Sequence, residues 1–470
     1  MSAENISAES PALERRLGLG SAISLNMMNM IGVGPFITLP LVVAAMGGSQ
    51  ALLGWVLGAI IALCDGLVWA ELGAAMPEAG GSYTFLREIY GREGAGRWLS
   101  FLYIWQLGFS APLSIASGCI GLAQYAAYLW PGLRVSIWHI PLVSLVAAAT
   151  CIFAVALLYR NMTAIARLAW IMTAGVLVTI FAVILAGFTH FHPAMLAPTQ
   201  GAFTLHAGFF EGLGAATLLA TYDYWGYYNV CFLGGEVRDP GRTIPRAVLW
   251  SIVIVAALYL SMQISVLGVI PVHEMTHAGA AKLAIVAVLM QQTFGPTAAR
   301  ILALLVMWTA FASVFSLLLG YSRVPYAAAL DGNYFHIFAR VHPRHKFPNI
   351  SLLALGAVAV IFCFFDLAVV IAALVAIRIL LQYILQQVGV IVLRIKRPQM
   401  PRPFRIWLYP LPPLLALAGF IFIVFSRRQA SRELLDAVFV AVSGSIIYFA
   451  RAYARREWPF RRRRSIANSE

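Results

Sequence analysis

Three ionisable side chains lie deep inside long apolar stretches of this chain: Asp65, Asp223 and Arg378. A charge held in hydrocarbon costs roughly 3 kcal/mol or more unless it is paired or faces a cavity, so each marks a partner or a ligand. Asp223 sits at the helix-breaking stretch Trp225-Gly226-Tyr227. There it suits three roles: receiving an ammonium group, carrying a coupling proton, or pairing with Arg378. Arg378 lies about ten residues, roughly 15 Å, into its segment, too deep for its head to reach the interface easily. Asp65 reads equally well as a partner of Arg378, as a buried acid bonded to backbone, or as a functional group.

The second chemical signal is a matched pair of breaks. The apolar stretch 20–46 is interrupted at Gly32-Val33-Gly34-Pro35, and the stretch 208–233 is interrupted around Trp225-Gly226-Tyr227. Glycine weakens a helix and proline removes a backbone donor, so in lipid each break leaves peptide groups that must be satisfied by something polar. A single such break is explained as well by close helix packing through small residues. Two breaks at corresponding places in two halves point instead to the midplane site of a secondary transporter.

These segments belong to a chain built for a bilayer. Of its 470 residues 61% are hydrophobic and only 11% charged, with a mean hydropathy of +0.82. Such a composition excludes a soluble domain. Apolar windows of about 20 residues predict twelve membrane spans, at 20–46, 50–75, 97–129, 139–158, 165–189, 208–234, 244–271, 299–330, 350–365, 368–394, 406–425 and 434–450. The fold class is therefore an all-α polytopic membrane protein. Spans 1–5 and 6–10 each open with an interrupted helix, which predicts a transport domain over 20–394 made of two five-helix repeats. Spans 11 and 12, within 395–450, follow the basic, proline-rich stretch 394–405. Tails at 1–19 and 451–470 complete the division.

The net charge of +14 is distributed unevenly. With both termini on one side, that side collects most of the arginines, including Arg15, Arg16, Arg87, Arg160, Arg238, Arg246, Arg340, Arg394 and Arg405. The other side holds Arg134, Lys282, Arg300, Arg427, Arg428 and Arg432. The asymmetry places both termini in the cytoplasm of a multi-pass protein of the cell membrane; the last three arginines run against it. The C-terminal run 461–464 reads as an anchor on anionic lipid, and nucleic acid is not the expected partner. Residues 1–19 are polar and carry no signal-peptide core. Cys64, Cys119, Cys151, Cys231 and Cys363 stand singly in apolar stretches, without metal-binding or redox spacing.

Chain direction gives the breaks their polarity. The first half of span 1 ends in free carbonyls near Ile31, and its second half opens with free N–H groups around Val33 and Gly34, with Pro35 suited to a first helical turn. The first half of span 6 ends near Tyr222, Asp223 and Tyr224. A positive helix start beside negative helix ends fits a zwitterion, with carboxylate at the Val33 and Gly34 amides and ammonium on carbonyls of Ile31 and of Tyr222 to Tyr224. Tyr224, Trp225, Tyr227, Tyr228 and, from span 8, Trp308 are expected to wall the side-chain pocket. Asn26, Asn29, Gln106, Ser110, Ser114, Ser313 and Gln382 read as a mixture of interhelical bonds and cavity contacts.

Several motifs then resemble one family. Ile31-Gly32-Val33-Gly34-Pro35-Phe36 resembles the unwound Gly-Ser-Gly-Ile-Phe segment of amino acid/polyamine/organocation permeases. Glu71-Leu72 with 76–83 is similar to their span 2 exit, Asn229 with 234–240 and Ile244-Pro245-Arg246 to their span 6 exit, and Arg397-Pro398 with Arg402-Pro403-Phe404 to the loop before span 11. Within that superfamily the chain looks nearest to L-type amino acid exchangers and polyamine permeases. The resemblance implies a LeuT-type five-plus-five inverted repeat, alternating access and a midplane site on spans 1, 3, 6, 8 and 10. Two departures matter. Val33 and Pro35 replace a serine and an isoleucine of the motif, and Val176 stands where several relatives carry a lysine in place of sodium. The coupling ion, proton or sodium, therefore stays open, with Ser313 and Ser316 as weak sodium candidates.

The expected function is secondary transport of an amino acid. A polyamine or organic cation is the alternative substrate. An ion channel fits less well, since no Thr-Val-Gly-Tyr-Gly filter is present. An enzyme is not expected: no His-Glu-x-x-His stretch occurs, and no cofactor or metal is implied.

Overall fold

The structure, a computed structural model, describes residues 13–137, 140–160, 162–198, 202–276, 284–365, 378–426 and 430–460. Apart from one two-stranded hairpin, Ser136–Ile137 with Ile140–Pro141, its regular elements among the described residues are helices. Seven are long and apolar enough to cross a membrane, and a bent pair makes an eighth span. Shorter apolar helices at Leu142–Leu158, Asn349–Phe362 and Leu411–Phe425 fall in three more of the predicted windows. The protein is an all-α polytopic membrane protein.

Span 1 is two helices, Leu19–Met30 and Gly34–Met46, bent by 49° at the break. Proline near the start of the second half explains why the helix restarts there, because its missing N–H falls where no intrahelical acceptor exists. The chain leaves that half through Gly47, whose φ of 76° is the left-handed C-cap that glycine adopts without strain. Span 6 is Ala207–Tyr224, followed after four residues by a single turn, Asn229–Phe232. The window 208–234 is thus more deeply broken than a kinked helix.

Other windows shift at their ends. Span 4 begins at Leu142 rather than 139, because the hairpin occupies its start. Residues 406–410 precede span 11 instead of opening it, and span 12 runs on to Arg455. The expected span 8 is a helix of Pro296–Tyr321 and a further one of Arg323–Leu330. For span 10, residues 366–377 lie outside the described part. Beyond them a π-helical stretch, Ile379–Ile384, leads into Leu385–Lys396. The arginine run 461–464 also lies outside. Three α-helices among the described residues have no counterpart among the windows: amphipathic Ser82–Tyr90, the short Val272–Thr276, and Ile285–Phe294, which packs on spans 1, 5 and 8.

Packing sorts the spans into two groups. Span 2 packs on spans 6 and 7, and the first half of span 1 packs on span 7 while its second half packs on span 6. Span 3 packs on spans 8 and 9, and span 4 on the same two. The contact of span 1 with 7 is matched by that of span 2 with 6, and the contact of span 3 with 9 by that of span 4 with 8. The site lies where the two groups meet.

Candidate functional site

The break in span 1 is held open from both sides. After Met30 the chain makes only a tight turn, with Ile31 N donating to Met27 O at 2.7 Å and Gly32 N to Met30 O at 3.1 Å. Span 8 comes close, so a Cβ on Gly32 would lie 2.9 Å from Ser313 Oγ. A Cβ on Gly34 would collide with Asp223 Oδ1. The N–H groups of Val33 and Gly34 open the second half, where helical geometry supplies no acceptor.

The break in span 6 backs directly onto the first. Gly226 has φ +127°, and a Cβ there would sit 2.8 Å from both Asn29 C and Met30 N. Only glycine permits that approach and that backbone conformation together. Asn26 clamps the restart, its Oδ1 accepting from Val230 N at 2.9 Å. Asn229 Nδ2 donates to Ser316 Oγ at 2.8 Å, and Ser316 Oγ donates to Leu25 O at 2.7 Å. The Tyr259 hydroxyl donates to Met30 O at 2.8 Å and lies 3.4 Å from Asp223 O, at the carbonyl ends of both first halves.

Between the breaks lies a cavity of about 210 Å³. Gly32, Val33, Gly34, Tyr222, Asp223, Trp225 and Arg378, all singled out in the sequence, line it. So do Asn29, Ser114, Ser313 and Tyr228. Asp223 is buried. Its Oδ2 accepts from Thr38 Oγ1, and its Oδ1 has no hydrogen-bond partner among the described residues. Arg378, also buried, donates from one terminal nitrogen to Ser110 O at 2.9 Å and Ser114 Oγ at 3.0 Å. Its guanidinium lies 5.6 Å from the centre of the Tyr321 ring.

Other expected residues lie elsewhere. Ile31 and Pro35 are buried beside the break but do not line the cavity. Tyr224 turns away from it, its ring 5.4 Å from Tyr259 and 6.0 Å from Trp55. Tyr227 donates to Asp65, which also accepts from Gln387, so Asp65 ties spans 2, 6 and 10 and, among the described residues, pairs with neither Arg378 nor backbone. Trp308 is 41% exposed on the outer surface, its indole N–H donating to Met172 O at 3.1 Å. A pocket role for Trp308 is therefore replaced by a tie between spans 8 and 5.

Thr38, Ser117 and Tyr321 line the cavity although the sequence does not single them out, and Tyr259 bonds the carbonyl ends beside it. Thr38 carried a signal, a hydroxyl one helical turn after Gly34. Tyr259 and Tyr321 carried none that separates them from other span tyrosines.

The family model described as amino acid permease matches residues 17–446, nearly the whole chain. The chain belongs to the amino acid permease family. This permease is 27% identical over 448 residues to a serine/threonine exchanger of Bacillus subtilis, covering 94% of this chain and 98% of the relative. It is 32% identical over 350 residues to an uncharacterized transporter of Mycobacterium tuberculosis, covering 74% and 73%. An aspartate-proton symporter of Bacillus subtilis is 28% identical over 381 residues, covering 77% and 70%. The permease is thus a transporter and not an enzyme, with amino acid transporters among its relatives.

Proposed function

We propose that this permease carries an amino acid across the cell membrane by alternating access, with the substrate held between the breaks of spans 1 and 6. One observation carries the reading: a cavity lined both by the helix start at Val33 and Gly34 and by Asp223, whose Oδ1 has no hydrogen-bond partner among the described residues. The first suits a carboxylate, the second an ammonium group. The serine/threonine exchanger and the aspartate-proton symporter among its relatives support a zwitterion of that size.

On this reading residues 20–394 form the transport domain, with spans 1–5 and 6–10 as inverted repeats. The matched contacts of span 1 with 7 and span 2 with 6 support that symmetry. Spans 11 and 12, within 395–450, are an appendage, and the tails 1–19 and 451–470 lie in the cytoplasm, the second against anionic lipid. The coupling ion is left open. A polyamine fits less well, because Arg378 in the cavity wall repels a polycation.

The test is Gly34→Leu. The side chain would fill the cradle and meet Asp223, so amino acid uptake into proteoliposomes should be lost while the variant still inserts and elutes as a monodisperse species. Uptake at the wild-type rate would refute the placement of the site.

A further inference from the structure

Among the described residues that line the cavity, Arg378 is the only cation. A buried guanidinium has five N–H donors and a charge that burial makes expensive unless an anion answers it. Neutral oxygens of Ser110 and Ser114 take one of its nitrogens, and the Tyr321 ring lies beside it. No carboxylate stands within ion-pair distance of it among the described residues. Asp223, the other charge in the wall, is engaged by Thr38 and lies against Gly34 instead.

The two charges of the wall come from different elements. Asp223 and the Val33 and Gly34 amides belong to spans 6 and 1, where the two breaks meet. Arg378 comes from span 10, supported by span 3 through Ser110 and Ser114 and by span 8 through Tyr321. A neutral amino acid has one carboxylate, which the helix start takes, and it leaves Arg378 unanswered. An acidic amino acid brings a second carboxylate on its side chain. We propose that Arg378 binds the side-chain carboxylate of the substrate, making this permease selective for acidic amino acids over their amides. The proposal rests on the binding reading above.

The experiment uses the full-length protein in proteoliposomes and in detergent. L-Aspartate, L-glutamate, L-asparagine, L-glutamine and L-serine are compared as competitors of uptake and as thermal stabilisers, in chloride and in gluconate buffer. For the wild type the acids should act at roughly tenfold lower concentration than their amides, since a charged group built to be paired rejects a ligand that leaves it bare. Arg378→Gln should remove or reverse that preference while keeping the amides. Arg378→Lys should keep the preference with weaker binding.

Equal or better binding of the amides or of serine by the wild type overturns the proposal. So does a parallel loss of every ligand in Arg378→Gln, which would assign Arg378 to the α-carboxylate or to the scaffold. Stabilisation by chloride, with no response to the acids, overturns it too. If Arg378→Gln fails to fold, the wild-type comparison of acids with amides decides alone. Binding of neutral but not acidic amino acids sinks only this inference, whereas binding of no amino acid sinks the proposed function with it.

Discussion

The hydroxyl of Thr38 donates to the carboxylate of Asp223, tying the second half of span 1 to the last turn of the first half of span 6. That bond engages Oδ2 and leaves Oδ1 without a hydrogen-bond partner among the described residues, beside the α-carbon of Gly34.

Thr38→Val keeps the shape of the side chain and removes the donor. A buried carboxylate oxygen then loses its partner, at a cost of about 1–3 kcal/mol. The expected outcome is a lower Tm in detergent together with a raised KM for uptake, with Thr38→Ser restoring both. A Thr38→Val variant with wild-type KM would separate Thr38 from the site.

Asp65 lies outside the cavity and is bonded to Tyr227 and Gln387. Asp65→Asn weakens two charge-assisted bonds, so a loss of roughly 1–3 kcal/mol in stability is expected. The order of preference among substrates should be unchanged, as read by a competition panel on the variant. A reordered panel would give Asp65 a part in recognition.

Trp308→Leu tests the outward placement of a residue whose sequence context suggested a pocket wall. Loss of its bond to Met172 O should cost about 1 kcal/mol of stability. The KM for uptake should match that of wild type, since Trp308 does not line the cavity. A large rise in KM would return Trp308 to the site.

The parts of the fold legible in the sequence were those with a cost in lipid. Glycine and proline in the first apolar window and glycine in the sixth mark both breaks, and a charge in an apolar run singles out Asp223 and Arg378, which the structure brings to one cavity. Rotation about the helix axis was not legible. Spans that are apolar all round give no stripe to say which face turns inward. Sequence alone therefore places Trp308 and Tyr227 at the cavity, whereas the first is 41% exposed and the second bonds Asp65. Tyr259, which sits at two carbonyl ends, was indistinguishable from a tyrosine packed anywhere else. The single turn that remains of span 6 after its break was hidden by the apolar residues that continue through it.

Gly226 lies with its α-carbon against the backbone of Asn29 and Met30, and Asn26 holds the N–H of Val230 just beyond. The two interrupted helices therefore share one joint rather than owning two hinges. A tilt of either first half would press on the other at that contact. Any larger residue at position 226 would act as a wedge at the pivot, so the joint tolerates motion only while its smallest member is kept.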